Sequence, residues 1–138
     1  MLARWCFALI VLTACGSSQR PLLEDLSQHE NLSLFKLQSV QGIRDGDRLA
    51  AQAMLSDSSS ILRIDMHFAV GSPTRLESGT WQWTRTGSAS SGTVSARSVT
   101  FLGGQDSPPS IGGAFDLMES GGTAHYRVNI PVTELKRQ

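Results

Sequence analysis

The stretch ILRIDMHFAV, residues 61–70, alternates apolar and polar side chains along most of its length. One register is apolar throughout: Leu62, Ile64, Met66, Phe68 and Val70. The other register carries Arg63, Asp65 and His67. Because successive side chains of a β-strand point to opposite faces, this pattern predicts a strand with one buried face and one solvated face.

A second alternating stretch lies near the end of the chain, where Tyr126, Val128, Ile130 and Val132 share one register. Pro131 cannot donate a backbone hydrogen bond, so that end of the strand is predicted at a sheet edge or leaving the sheet. Shorter candidate strands are separated by turn-rich segments rich in Gly, Ser, Asp and Pro. They are residues 32–40, 49–55, 79–85, 93–101 and 114–118.

Within residues 93–101 the apolar side chains change register between Ala96 and Val99, which predicts a β-bulge near Arg97 and Ser98. Together the patterns predict an all-β domain over residues 32–138. We expect an antiparallel β-sandwich, or a small barrel, of about seven short strands.

The charge balance argues against one class of partner. The 138-residue chain carries 12 basic and 12 acidic residues, and its arginines are scattered rather than clustered. No electrostatic feature therefore favours nucleic acid as a partner.

The first fourteen residues have the organisation of a secretory signal peptide. Arg4 precedes an apolar run, WCFALIVL at residues 5–12, which is followed by the small residues Thr13 and Ala14. A membrane-spanning helix needs about 20 apolar residues, so this run is too short to be one. We therefore assign residues 1–14 to an export signal.

Leu12, Thr13, Ala14 and Cys15 resemble the lipobox of bacterial prolipoproteins. The resemblance implies cleavage before Cys15, a diacylglycerol on its sulfur and a fatty acid, typically palmitate, on its amine. It also implies a protein held on the cell envelope, and Gly16 in second place favours the outer membrane over the inner one. The alternative is an ordinary signal peptide with a chance cysteine near its cleavage site.

Two structural expectations follow from this assignment. Cys6 would leave with the signal peptide and the Cys15 sulfur would carry lipid, so no intramolecular disulfide would form. Residues 15–31 are polar apart from three leucines and contain Pro21, which predicts a flexible tether. The alternative for Leu22, Leu23 and Leu26 is one turn of amphipathic helix.

Three groups of residues are candidates for a functional site. Trp81 and Trp83 share one face of GTWQWTR, where they either stack on a carbohydrate or small ligand or, as the pattern favours, pack in the core. The loop at residues 103–113 is long and flanked by glycines, which suits either ligand contacts or a simple strand connection.

Arg63, Asp65 and His67 share the polar face of strand 61–70, and an Asp-x-His pair is able to bind a metal or relay a proton if His125 joins it. The solvated face of a half-buried strand is the favoured explanation.

Motifs that carry catalytic or phosphate-binding chemistry do not occur in this chain. It has no G-x-S-x-G elbow, no H-E-x-x-H, no phosphate-cradling loop and no C-x-x-C. The sequence therefore predicts a non-enzymatic envelope lipoprotein, without a cofactor, that has a structural or protein-interaction role. The alternatives are a carbohydrate or small-ligand binding module and, less favoured, a metal-dependent hydrolase.

Overall fold

A computed structural model describes residues 20–103 and 108–137 of the chain. The fold is built from eight β-strands. They are β1 (Leu23–Asp25), β2 (Lys36–Asp45), β3 (Arg48–Ser56), β4 (Ile61–Ala69), β5 (Arg75–Arg85), β6 (Ser88–Leu102), β7 (Ser110–Met118) and β8 (Ala124–Glu134).

All eight strands belong to one sheet with the order β1-β8-β7-β6-β5-β4-β3-β2, and every neighbouring pair is antiparallel. Strands β2 to β8 follow one another as an up-and-down meander. The all-β antiparallel prediction is thus confirmed. The strands form one curled sheet, a half-barrel, which agrees with the predicted β-sandwich or small barrel.

The sheet curls far enough for the chain after β8 to meet the edge of β2. Gln41 and Lys136 form a parallel bridge. Within it, the Gly42 amide donates to the Lys136 carbonyl at 2.9 Å, and the Lys136 amide donates to the Val40 carbonyl at 3.2 Å. The buried side chain of Leu135 lies against Gly42. The segment that follows β8 therefore links the two ends of the meander.

The core lies inside the curled sheet and is filled by the inward register of each strand. Leu62, Ile64, Met66 and Phe68 of β4 are all at most 2% exposed, which confirms the buried face predicted for residues 61–70. The Phe68 ring meets the Phe115 ring of β7 at 6.1 Å between centroids, so side chains from opposite walls pack together.

All seven strands predicted from the sequence are present, with somewhat different ends. The register shift in β6 falls between Ala96 and Ser98, which confirms the bulge. Pro131 also lies at an irregularity, because the β7–β8 register shifts opposite it between Ile111 and Gly113. β8 continues past Pro131 to Glu134, but β1 pairs with β8 only at residues 126–128. Among the described residues Pro131 therefore lies on a side of β8 without a ladder partner, as predicted for a sheet edge. Val132, predicted in the buried register, is 48% exposed.

The tether expected over residues 15–31 requires a correction, because most of its second half belongs to the fold. Leu23 is 3% exposed and pairs with Val128 of β8. Asn129 of β8 binds the two residues that precede Leu23. Its backbone amide donates to the Leu22 carbonyl at 2.8 Å, and its side-chain amide donates to the Pro21 carbonyl at 2.9 Å. Three residues are too short a strand for alternation to reveal it, and the segment forms no helical turn.

After β1 the chain crosses one end of the sheet to reach β2. The Asp25 carboxylate shapes this crossing, since it accepts hydrogen bonds from the backbone amides of Ser27, His29 and Glu30 and from the Ser27 hydroxyl. These bonds hold the pKa of Asp25 at about 2. Leu32 and Phe35 then add buried side chains to the core.

The export signal and Cys15 lie outside the described residues. Within residues 20–103 and 108–137, no helix has the length and apolar character needed to span a membrane.

Candidate functional site

The tryptophan pair is part of the core. Trp81 is 0% exposed and Trp83 is 1% exposed. The Trp81 indole nitrogen donates to the Met118 carbonyl at 3.0 Å, across the position of Gly92. Neither indole presents a face to solvent, so their placement corrects the ligand-stacking assignment and agrees with the core alternative.

Trp83 lies at the centre of an aromatic and cationic cluster at one end of the sheet. Its ring meets Phe35 at 5.3 Å and Tyr126 at 4.8 Å, both edge to face, and the Arg85 guanidinium lies 3.8 Å from its centroid. The face of an indole ring is electron-rich, so it attracts the edges of other aromatic rings and the positive charge of a guanidinium group. The cluster therefore holds the segment between β1 and β2 against the core.

A polar network surrounds the Trp83 cluster. The Glu30 carboxylate accepts a hydrogen bond from Arg85 at 2.5 Å and one from the Tyr126 hydroxyl at 2.8 Å. The Arg85 hydrogen bond lowers the pKa of Glu30. Burial, and secondly the hydrogen bond to Glu30, raise the pKa of Tyr126 to about 12. These pKa shifts favour an ionised Glu30 and a neutral Tyr126, as expected for hydrogen bonds that stabilise the fold.

The Arg63, Asp65 and His67 face lies on the outside of the sheet, as the favoured interpretation predicted. Asp65 accepts hydrogen bonds from Arg63 at 3.0 Å and from Gln52 at 3.0 Å. His125 lies on β8 beside Glu119, with 3.6 Å between the ring nitrogen and the carboxylate. Because β8 and β4 are not neighbours in the sheet, the grouping needed for a metal-dependent hydrolase is not assembled.

Among the described residues no group of three or more His, Cys, Asp and Glu side chains is arranged to hold a metal ion.

The structure contains a feature that the sequence did not predict, a seam between β5 and β6. The two strands pair only from Thr80–Thr93 to Arg85–Ser88. Residues 75–79 of β5 pair on one side only, with β4, and residues 94–102 of β6 pair only with β7. Among the described residues, each strand thus has an edge that lacks a ladder partner.

The seam exposes part of the inner face of the sheet. Beyond the last β5–β6 pair, the inward side chains of β6 include Ala96 and Phe101, opposite Phe115 and Ile111 of β7. Ala96 is exposed and Phe101 is half-buried, whereas Phe115 and Ile111 are at most 2% exposed. The inner surface of β6 is therefore accessible along the seam.

On the opposite side of the seam, the half-buried side chain of Leu76 of β5 adds an apolar contact surface. Arg44 lies at one end of the seam, with its guanidinium 5.6 Å from the centroid of the Phe101 ring. Gly79 marks where pairing stops, since a Cβ atom there would lie 2.9 Å from the Val94 Cβ. A glycine in a strand permits such a close approach by another strand.

A second group of polar side chains lies on the outer face of β6, β7 and β8. Asp116 is 8% exposed and accepts a hydrogen bond from Arg127 at 2.7 Å, and Arg97 lies 3.5 Å from its other oxygen. The hydrogen bond to Asp116 raises the pKa of Arg127. The side-chain amide of Asn129 nearby donates a hydrogen bond to the Glu24 carboxylate at 2.8 Å.

The glycine-flanked loop at residues 103–113 is only partly described, because residues 104–107 lie outside the described part of the chain. The Pro109 carbonyl accepts a hydrogen bond from the Leu135 amide at 2.8 Å, and β7 starts at Ser110. The described part of the loop thus serves as a strand connection that also supports the segment after β8.

Comparison with known proteins gave no match: no family model, no curated protein and no solved structure is similar to this chain.

Proposed function

We propose that the protein is a non-enzymatic cell-envelope lipoprotein, anchored through lipid on Cys15, whose β-domain binds an extended segment of a partner protein along the β5–β6 seam. The seam carries the interaction part of the proposal. The lipobox-like residues 12–15 support the anchor.

The seam has the two properties that binding of an extended polypeptide requires. Strand edges without a ladder partner offer backbone donors and acceptors to an added strand. The apolar side chains of Leu76, Val99 and Phe101 offer contacts to alternate side chains of such a strand. A sheet interior that is reachable between two open edges therefore favours strand addition over recognition of a small polar ligand.

The anchor determines where this interaction would occur. A single acyl chain gives only marginal membrane binding, with about 0.8 kcal/mol per buried methylene, whereas two or more chains hold a protein stably. A diacylated or triacylated Cys15 would keep the domain on the membrane, and we favour the outer membrane because Gly16 follows the cysteine.

The alternatives lack the residues on which they depended. Carbohydrate stacking needs an exposed aromatic surface, and both Trp81 and Trp83 are buried. The metal-dependent hydrolase needs Asp65, His67 and His125 together, and the third lies on a distant strand.

Membrane fractionation tests the anchor. We expect wild-type protein in the membrane fraction, retained at high salt because salt screens charge and not apolar contacts. Cys15→Ser should remain as the uncleaved precursor or be released in soluble form, while Cys6→Ser should behave as wild type. Wild-type protein released by salt alone would contradict the anchor.

Site-specific photocrosslinking in the producing cells tests the seam. A benzophenone amino acid at Ala96 should yield a discrete adduct with another polypeptide. The same group at Thr84, exposed on the outer face of β5, is the matched control and should yield none. An absence of adducts at Ala96, or equal adducts at both positions, would count against the seam as the binding site.

A further inference from the structure

The position at which the chain enters the fold has a consequence for how the domain sits on a membrane. We propose that the outer face around Arg20, Arg97 and Arg127 lies against the anionic headgroups of the bilayer that holds the Cys15 anchor. This inference rests on the proposed anchor and adds an orientation to it.

The first argument is chain length. Asn129 of β8 holds Pro21 and Leu22 through two hydrogen bonds, so the chain is fixed to the fold from that point onward. From Cys15 to Leu22 there are seven residue steps, which span at most about 25 Å when fully extended. A domain on so short a connection stays at the membrane surface, and the entry point at β1 and β8 lies on the side nearest the bilayer.

The second argument is charge. Arg20, Arg97 and Arg127 line one concave area of this face together with Glu24 and Asn129. The side chain of Arg97 is 57% exposed, so its guanidinium is accessible although it lies near Asp116. Asp116 is largely covered, with its side chain 12% exposed. The surface that a headgroup would meet is therefore richer in guanidinium than in carboxylate groups.

The third argument is shape. Ser98 and Ala114 are the small residues that line the same concave area, and its volume is about 400 Å³. Guanidinium groups form bidentate hydrogen bonds with phosphate oxygens. A depression bordered by arginines beside the chain entry suits phosphodiester groups at a lipid surface.

The remainder of the sheet provides the contrast. Strands β4 and β5 lie at least three strands from β8 in the sheet order. On their outer face Arg63 is paired with Asp65, and Gln82 is exposed. A domain that rests on the β8 side therefore turns this other face away from the bilayer.

Depth-dependent fluorescence quenching tests the orientation. Lipidated mature protein, which begins at Cys15, is incorporated in vesicles of phosphatidylcholine and phosphatidylglycerol at 70:30, with headgroup nitroxide lipid as quencher. One fluorophore position is Ser95→Cys, whose residue pairs with Asp116 on the proposed membrane face. The other is Gln82→Cys, on β5. The Cys15 sulfur is already a thioether in this protein and does not take the label.

We expect quenching at position 95 to exceed quenching at position 82 at least two-fold. The difference should shrink when Arg97→Ala and Arg20→Ala are combined, or when phosphatidylglycerol is omitted. It should persist in Arg75→Ala, an exposed arginine of β5. Equal quenching at both positions in vesicle-bound protein would overturn the orientation alone. Protein that does not float with vesicles would overturn the anchor and the orientation together.

Discussion

At the scale of single residues, the fold depends on close approaches that only small side chains permit. Trp81 reaches the Met118 carbonyl on β7 although β6 lies between the two strands. This is possible because Gly92 of β6 leaves the path open. A Cβ atom at position 92 would lie 1.9 Å from the Met118 oxygen and 2.7 Å from the indole nitrogen. The sequence pattern places Gly92 in a turn-rich segment before the candidate strand 93–101, so it did not indicate that the Trp81 indole packs across this position.

Gly92→Ala should therefore destabilise the domain by about 3 kcal/mol, because either the indole hydrogen bond or the β6–β7 pairing must give way. Gly71→Ala is the matched control. Its nearest neighbour would be the Pro73 oxygen at 3.7 Å, an ordinary contact. We expect the control to stay within about 0.5 kcal/mol of wild type in urea unfolding. Equal changes in the free energy of unfolding for the two variants would contradict the Trp81–Met118 hydrogen bond across Gly92.

The sole tyrosine of the chain allows its environment to be measured directly. Burial and the hydrogen bond to Glu30 raise the pKa of Tyr126 to about 12, against 10.0 for a free phenol. Absorbance titration at 295 nm should give a midpoint near 12 for folded protein. A midpoint near 10 before unfolding begins would contradict the burial of the hydroxyl.

The same shift has a consequence for stability. The folded state binds the phenolic proton more tightly than the unfolded chain, so this contribution is complete below pH 10 and is lost as the pH rises toward 12. Glu30→Gln should lower the midpoint while leaving it above 10, because burial is the larger cause of the shift.

At the scale of elements, alternation predicted seven strands because each is long enough to show its buried register. The same reasoning did not find β1, since three residues at Leu23–Asp25 carry no readable period. It also did not find the seam. Which part of β5 pairs with β6 depends on how the sheet curls, and the sequence of either strand carries no record of that.

A buried and an exposed leucine near the start of the described chain test whether β1 belongs to the fold. Leu23 is 3% exposed and Leu34 is 74% exposed. Leu23→Ala should lower the free energy of unfolding by about 2–4 kcal/mol, because a buried leucine leaves a cavity. Leu34→Ala should change it by less than about 0.5 kcal/mol. Chemical denaturation of both variants measures the free energy of unfolding. An unchanged value for Leu23→Ala would show that residues 20–25 belong to the tether and not to the fold.

At the scale of the whole molecule, the sequence predicted an all-β chain but not how the meander ends. Lys136 meets β2 through two backbone hydrogen bonds, and the Leu135 side chain packs against Gly42 of β2. Neither residue lies in an alternating pattern that would indicate these contacts. The candidate sites show the same difference between what the sequence predicts and what only the fold reveals. The residues of the proposed anchor lie together in the sequence, whereas the seam and the arginine face are assembled by strands that are distant along the chain.

The proposed role depends above all on the chemical state of Cys15, because the anchor places the seam and the arginine face at a membrane. Mass spectrometry of the N-terminal peptide of protein extracted from membranes measures that state directly. We predict a mature chain that begins at Cys15 and is heavier than its sequence by a diacylglycerol, with or without an amide-linked fatty acid. An unmodified N-terminus, at Cys15 or downstream of it, would contradict the account.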